Sequence, residues 1–353
     1  SKNLKINYID SRIDLRISIN INNTHNRMEV MIPSLKVKST LLGNIKTSDL
    51  IIKTKITPKH SGLEERIDGY WSPYILKSKE ETNVLIEISI TPKINIDIQS
   101  QIEAVWVDIF WRNYGPFGQI KRREGFAIGI KKPTSSINFH SNKANVELIP
   151  IKTHILGSFD DPIDVIKNYS SSILKKGDIL TIGESPLAVM QGRYLFPSSI
   201  KVSLLSRLLC KNFHPTSSLA TACGMQSLIN IEGPSRIFIA WLIGGSLKLF
   251  GFKGFFYRIA GAQARLIDDI TGTTPPYDKT IVLGPINHQS FCNKASKELG
   301  IDVAIVDVND LGRVKILSSS LGSNLSLINN ALVSNPAGNA NQHTPLVLIR
   351  PCE

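Results

Sequence analysis

The sequence predicts an α+β fold, in which an N-terminal antiparallel β domain precedes a mixed α/β domain. Short runs that alternate apolar and polar residues fill the first part, among them RISININ, NVLIEISITPKINIDI and IEAVWVDIFW. Such alternation is typical of half-buried strands. From about residue 151, helical and strand patterns alternate, which favours a mixed α/β architecture. We therefore expect a domain boundary near residue 150, separating residues 1–150 from residues 151–353.

The composition supports two domains of typical size, each with a hydrophobic core. The chain has 353 residues, of which 42% are hydrophobic and 20% charged, and these proportions argue against disorder. The net charge of +12 is spread over both parts. A diffuse positive charge suits phosphorylated ligands, acidic surfaces or nucleic acid, and it equally suits a lysine-rich surface kept for solubility.

Cysteine usage predicts a reducing, cytoplasmic environment. Cys210, Cys223, Cys292 and Cys352 are far apart and show no C-x-x-C spacing, so we expect free thiols. The sequence begins at Ser1, which leaves an upstream targeting segment open. The apolar stretch 237–258 is interrupted by glycines and lysines, so we expect a buried helix and no membrane span.

Local signals place several elements of the second domain. The stretch DDPIDVIKNYSSSIL predicts a helix capped by Asp160 or Asp161, with Pro162 in its first turn. GDILTIGESPLAVMQGR indicates a strand and a turn. A further helix is expected over about 288–299, ending at Gly300, and the apolar run VAIV is expected to form the next strand.

The first candidate site follows that strand, in the segment DVNDLGR. Asp307, Asn309 and Asp310 carry hard oxygen ligands close enough in sequence to share one Mg²⁺ or Mn²⁺. Gly312 allows close backbone approach to a ligand, and Arg313 is suited to pair with a phosphate. The alternative is an Asx-rich turn that caps the strand.

The second candidate site lies in ARLIDDITGTTPPYDKTIVLGP, residues 264–285. Asp268 and Asp269 precede a segment whose Thr273 and Lys279 resemble parts of an anion cradle. The Walker motif is absent from the sequence, which excludes an ordinary P-loop. Two interpretations of the nearby Arg258 and Arg265 remain open, since these cations either neutralise the acids or bind acid groups of a substrate.

Nucleic-acid binding is not expected. The stretch WVDIFWRNYGPFGQIKRREG interleaves aromatic and basic residues, a composition that can stack bases. The same composition is typical of an ordinary strand leading into a basic hairpin tip.

Four segments together resemble the gamma-glutamyl ligases that add L-glutamate to the deazaflavin coenzyme F-420, in their broader bacterial relatives. They are KKGDILTIGESPLAVMQGR, GFFYRIAGAQARLIDDITGTTPPYDKTIVLGP, LGIDVAIVDVNDLGRVKIL and NPAGNANQHTPLVLIRP, and they span roughly residues 150–351. The resemblance implies a ligase-like second domain that uses GTP or ATP as co-substrate with Mn²⁺ or Mg²⁺, and it allows for K⁺ as well. It also implies L-glutamate and a small acidic acceptor as substrates, an acyl-phosphate route to the amide, and a homodimer.

The resemblance assigns roles to individual residues. It implies metal ligands at Asp268 and at the Asn309/Asp310 pair, with Asp307 and Asp269 as further candidates. We expect Arg265, Arg313 and Lys279 to act on the transferring group. The expected nucleotide or substrate contacts are Gly192, Arg193, Arg258, Thr273, Tyr277 and Gly312.

The sequence also departs from the family pattern. Glu184, Ser185 and Pro186 stand where the family has serine and lysine positions, and Asn309, Asp310 and Leu311 replace aspartate, threonine and an aromatic residue. These departures put the nucleotide preference and the acceptor in question. They also favour an alternative, a non-catalytic relative that serves as a ligand-binding or assembly module.

Overall fold

The computed structural model describes residues 3–64, 66, 68–94, 96–116, 118–133, 140–142, 146–252, 254–270, 275–309, 312–338 and 342–352. The chain divides into two compact units. The first comprises Ser1–Pro133 with His154–Phe159, and the second comprises Thr134–Thr153 with Asp160–Glu353. The expected boundary near residue 150 lies within the first segment of the second unit.

The first unit is a β-sandwich of two four-stranded antiparallel sheets. Its elements are β1 (Asn3–Ile9), β2 (Arg12–Asn22), β3 (Val30–Gly43), β4 (Leu50–Lys59), β5 (Tyr74–Leu76), β6 (Glu81–Pro92), α1 (Ile98–Gln101), β7 (Ile102–Gly115) and β8 (Gly118–Gly129). The strand orders are β1-β2-β6-β4 and β5-β3-β7-β8, and all pairs are antiparallel.

Alternation of residues along the strands builds the core of the sandwich. On β2, Ile13, Leu15 and Ile17 are buried, whereas the neighbouring Arg12 and Arg16 are exposed. Apolar side chains of β6, β7 and β8 join the same core. The expected N-terminal antiparallel β domain is thus confirmed, because the two-residue period directs every second side chain inward.

The second unit combines a mixed sheet with helices. Its elements are β9 (His140–Asn142), β10 (Val146–Ile151), α2 (Pro162–Ser170), β11 (Ile179–Gly183), α3 (Glu184–Met190), β12 (Tyr194–Leu195), α4 (Leu204–Leu209), α5 (Ala222–Glu232), α6 (Pro234–Leu249), α7 (Phe255–Ile259), β13 (Ile281–Val282), α8 (His288–Leu299), β14 (Asp302–Val308), β15 (Val314–Ser319), α9 (Leu325–Leu332) and β16 (Leu346–Pro351). The expected mixed α/β architecture is confirmed.

A six-stranded sheet organises this unit, with the order β15-β14-β11-β16-β10-β9. Strands β11 and β14 are parallel, whereas β16 and β15 run antiparallel to them. Ile328, Ala331 and Leu332 of α9 share a buried cluster with residues of β10, β11, β14 and β16. A two-stranded sheet of β12 and β13 accompanies the main one. Two neighbouring parallel strands therefore end at the same edge of the sheet.

The local expectations for the helices were partly right. Asp161, and not Asp160, caps α2 by accepting hydrogen bonds from the backbone amides of Ile163 and Asp164 at 2.8 and 3.1 Å. Helix α8 begins at His288 and ends before Gly300, whose left-handed backbone (φ 72°) ends the helix. The segment expected to be a turn after β11 forms the helix α3 instead.

The helix expected in the stretch 237–258 is present as α6, but it is not buried. Ile237, Ala240 and Gly244 are its buried residues, and most of its other apolar side chains are exposed. None of the helices in the described part of the chain is long and apolar enough to cross a membrane.

Candidate functional site

The carboxyl ends of β11 and β14 bring two acidic side chains together. Gly183 is paired with Val306 in the parallel ladder, so the next residues, Glu184 and Asp307, lie side by side at the edge of the sheet. This edge is where α/β sheets usually bind ligands. Glu184 is buried and Asp307 is half-buried, which places two carboxylates in a site with limited access to water.

Asp268 reaches the same place from another element. Its backbone forms a two-bond antiparallel bridge with Val282, with N···O distances of 2.8 Å in both directions. The hydroxyl of Ser185, which follows Glu184, donates a hydrogen bond to Oδ2 of Asp268 at 3.3 Å. We call Glu184, Asp268 and Asp307 the carboxylate cluster.

Mutual repulsion and burial hold protons on this cluster. Burial, followed by the charges of Asp307 and Asp268, raises the pKa of Glu184 to about 9. Burial, followed by the charge of Asp307, raises the pKa of Asp268 to about 6. Lys315, the cross-strand partner of Asp307 on β15, opposes both shifts. The cluster therefore favours binding of positive charge.

The side chain of Asp269 makes different contacts from that of Asp268, although the two residues are adjacent. It is 2% exposed, and its Oδ1 accepts a hydrogen bond from the backbone amide of Ile270 at 2.9 Å. Its charge contributes, after burial, to raising the pKa of the Cys223 thiol. Asp268 and Asp269 therefore face different surroundings, and Asp269 stays an untested candidate ligand.

Asn309 closes the turn between β14 and β15. Its Oδ1 accepts a hydrogen bond from the backbone amide of Arg313 at 3.1 Å, and its own amide donates to the Arg313 carbonyl at 3.1 Å. Gly312 has a positive φ of 73°, which this turn requires. The side chains of Asn309 and Arg313 are exposed, and Asp310 lies outside the described residues.

Gly192 and Arg193 serve the local structure. Gly192 takes a left-handed conformation (φ 67°) after α3. The guanidinium of Arg193 donates to the carbonyl of Gly284 at 3.1 Å and to Oε1 of Gln263 at 3.5 Å. Burial lowers the pKa of Arg193. Arg193 thus holds together the segments around residues 263 and 284.

The other expected contacts are dispersed over loops and short helices. Tyr277 is buried, with its ring 4.9 Å from that of Tyr194, and Lys279 is exposed. Arg258 and Arg265 are exposed and lie 5.4 and 5.8 Å from the ring centres of Phe255 and Tyr257 respectively. Thr273 lies outside the described residues.

The structure adds Glu184 and Lys315 to the site that the sequence indicated. Glu184 directly follows the buried strand DILTIG, so the rule that singled out Asp307 also applies to it. Lys315 follows from pairing β14 with β15. In the described part of the chain, no three His, Cys, Asp or Glu side chains lie close enough to form a metal site by themselves.

Comparisons with known proteins give one match to a protein family. Residues 2–132 match the family model of the F420-0:gamma-glutamyl ligase, N-terminal Ig-like domain. Comparison with curated proteins gives no match. Among solved structures, the GAE domain of GGA2p from Saccharomyces cerevisiae is 14% identical, covers 36% of this chain and 87% of its own, and has a TM-score of 0.21. That likeness is too low to carry an argument.

Proposed function

The β-sandwich of this chain belongs to the Ig-like domain family found at the N terminus of F420-0:gamma-glutamyl ligases, and from this premise we propose an amide ligase. In the proposed reaction, L-glutamate is joined to a small acidic acceptor through an acyl phosphate, with GTP or ATP as phosphoryl donor. The family match covers the sandwich, while the carboxylate cluster lies in the mixed domain. The activity therefore rests on the chemistry of the cluster.

The observation that carries the proposal is the convergence of the carboxylate cluster beside Lys315. Glu184 and Asp307 directly follow the last paired residues of adjacent parallel strands, and Asp268 joins them through the hydrogen bond from Ser185. Phosphoryl transfer between two anions requires charge neutralisation and positioning more than covalent chemistry. Clustered carboxylates that recruit cations, with a lysine alongside, suit this requirement.

The donor chemistry of the cluster fits Mg²⁺ or Mn²⁺. Both ions prefer carboxylate oxygens, and Mg²⁺ is usually held by one or two protein carboxylates together with phosphate oxygens of the substrate and water. A site completed by a nucleotide needs no group of three protein ligands, which agrees with the arrangement of the described residues. We propose Asp268 and Asp307 as ligands, with Glu184 adjacent. A bound divalent ion supplies neutralisation of phosphate charge.

The reaction balances in two steps. An oxygen of the acceptor carboxylate attacks the terminal phosphorus of the nucleotide, and the bond to the bridging oxygen breaks, releasing the nucleoside diphosphate. The amine of glutamate then attacks the acyl carbon, the carbon–oxygen bond to phosphate breaks, and the amine loses a proton as the amide forms. Lys315, which is half-buried beside Asp307, is placed to stabilise the transferring phosphoryl group.

The exposed cations expected from the sequence fit a role in substrate capture. Arg265, Arg313 and Lys279 are exposed, so their charges are accessible from solvent. We propose that they attract the anionic nucleotide and acceptor. Gly312 and Arg258 remain proposed nucleotide or substrate contacts, whereas the inward side chains of Arg193 and Tyr277 favour support of the loops. A homodimer remains a prediction.

A ligase assay with the full chain tests the proposal. The protein is incubated with F420-0, L-glutamate, Mn²⁺ and either GTP or ATP, and products are analysed by mass spectrometry. We expect nucleoside diphosphate release that requires glutamate, and a product heavier by one glutamyl residue. Nucleoside diphosphate release with other carboxylic acids, and none with F420-0, would show that the acceptor is a different acid. If no nucleotide binds in the presence of divalent metal, the ligase proposal fails and a non-catalytic binding module is favoured.

A further inference from the structure

Helix α6 and the turn after it present a continuous apolar stripe to solvent. On the helix, the exposed positions recur with the spacing that places side chains on one face. The stripe runs into the turn, where Leu249 and Phe250 are 88% and 78% exposed. We define the α6 stripe as the exposed apolar residues Phe238, Ile239, Leu242, Ile243, Leu249, Phe250 and Phe252.

The opposite face of α6 fixes this orientation. Ile237, Ala240 and Gly244 are buried and follow one another at intervals of three and four residues. A Cβ at Gly244 would lie 2.7 Å from the backbone nitrogen of Phe256, so α6 and α7 approach each other closely there. Because the helix cannot turn its stripe inward without losing this contact, the stripe is a permanent feature of the surface.

The charge of the segment that carries the stripe is mainly positive. No aspartate or glutamate occurs from Gly233 to Ile267, whereas the same segment contains Arg236, Lys248, Lys253, Arg258 and Arg265. Of these, Arg236 is paired at 2.6 Å with Glu232, which directly precedes the segment. Apolar side chains bordered by lysine and arginine are the pattern of segments that lie in a lipid–water interface. Anionic headgroups complement such a border, because they attract basic residues near the membrane surface.

We propose that the α6 stripe binds peripherally to an anionic lipid surface, with Phe250 and Phe252 entering the boundary between headgroups and acyl chains. The 16 residues of α6 are shorter than a bilayer span, so the helix lies along the surface. A second copy of the chain is the less favourable occupant. A symmetric contact would set the basic residues of this segment against each other, and the adjacent Glu232 is already paired with Arg236.

Vesicle co-sedimentation of the full chain tests this inference. One set of vesicles contains phosphatidylcholine with phosphatidylglycerol, and the other contains phosphatidylcholine alone. We expect binding to the anionic vesicles that weakens as salt concentration rises, and weak binding to the neutral ones. Binding that is equal for both sets would contradict the charge argument.

Two variants and one control assign the binding to the stripe. The double variant Phe250→Ser/Phe252→Ser is expected to weaken binding by about tenfold or more, because two apolar rings no longer leave water on binding. Lys248→Glu is expected to weaken it by about fivefold or more. The control Leu321→Ser removes a leucine that is 86% exposed outside the stripe, and it is expected to bind as the parent does.

Other results would overturn the inference or assign the stripe to self-association. Since all substituted side chains are exposed, each variant is expected to keep the parent's melting temperature, which is measured alongside. No binding to anionic vesicles, or binding that survives both stripe variants, would overturn the inference. If light scattering instead shows that the parent is a dimer that Phe238→Ser/Leu242→Ser dissociates, and vesicles are not bound, the stripe is a self-association surface. The ligase assay above does not depend on any of these results.

Discussion

Glu184 and Asp307 are neighbours across two parallel strands, each one residue beyond the last paired residues, Gly183 and Val306. Because the ladder between β11 and β14 is parallel and in register, the acidic residues that follow its last pair are brought together. Asp268, held by its bridge to Val282, completes the carboxylate cluster. The sheet therefore concentrates negative charge at the carboxyl ends of β11 and β14. Stability and ligand binding are expected to depend on this cluster and on the residues that hold the surrounding segments in place.

Neutralising Glu184 is expected to stabilise the metal-free protein at high pH. The pKa of Glu184 is raised to about 9 from its usual 4.5, so the folded state retains a proton that the unfolded state releases. The stabilisation that this raised pKa contributes is fully present below about pH 4.5 and is lost as pH rises towards 9. In EDTA, Glu184→Gln should therefore raise the free energy of unfolding at pH 8 by a few kcal/mol, at about 1.4 kcal/mol per pKa unit.

The measurement is urea unfolding of the parent and Glu184→Gln at pH 5 and pH 8. The gain should be much smaller at pH 5. Glu298→Gln, at an exposed position, serves as control and should show little change at either pH. Parallel pH profiles for the parent and Glu184→Gln would contradict the expectation.

Removing Arg193 is expected to cost stability even without ligand. Its guanidinium donates to the Gly284 carbonyl and to Gln263, and both acceptors belong to buried residues. Arg193→Ala removes the donor to the buried Gly284 carbonyl, at a cost of about 1–3 kcal/mol, whereas Oε1 of Gln263 still accepts from the Gly284 amide. The matched control Arg313→Ala, at an exposed position, should change stability by about 0.5 kcal/mol or less. If Arg193→Ala left stability unchanged but weakened nucleotide affinity, the result would support the direct nucleotide contact that the sequence predicts for Arg193.

The cap of α2 gives a third expectation. Asp161 accepts from two backbone amides of the first turn, so Asp161→Ala should lower the free energy of unfolding by about 1 kcal/mol. Asp161→Asn retains an acceptor oxygen and should lose only a small part of that amount. Equal losses in the two variants, measured by urea unfolding, would show that charge and not capping is responsible.

The fold class followed from the sequence because periodicity alone specifies it. Alternation in segments such as RISININ directs Ile17 and Ile19 into the core, and this needs no tertiary information. Helix α3 was missed because it begins directly at the end of β11, without an intervening loop to signal its start. The exposed face of α6 was not predicted, because the sequence pattern of an apolar helix is the same whether the helix packs against protein or faces solvent.

The candidate site was predictable in part. Asp268 and Asp307 were expected, and the structure brings them together. The sequence singled out Glu184 only as a departure from a family motif. Its proximity to Asp307 could not be predicted, because it depends on the register in which the two strands pair. Asp269 carries the same sequence signal as Asp268, and the two differ in the contacts that their side chains make in the structure. Asn309 illustrates the remaining limit, because an amide oxygen that caps a turn and one that binds a metal look alike in sequence.

The central claim is that Asp268, and not Asp269, helps to hold a metal–nucleotide complex. The direct measurement is the change in melting temperature when Mn²⁺ and GTP or ATP are added to the parent, Asp268→Asn and Asp269→Asn proteins. Ligand that binds the folded state alone stabilises it, so the parent should gain about 5 °C or more near saturation. Asp269→Asn should keep this gain, and Asp268→Asn should lose it. The same gain in all three proteins, or no gain in the parent, would contradict the account.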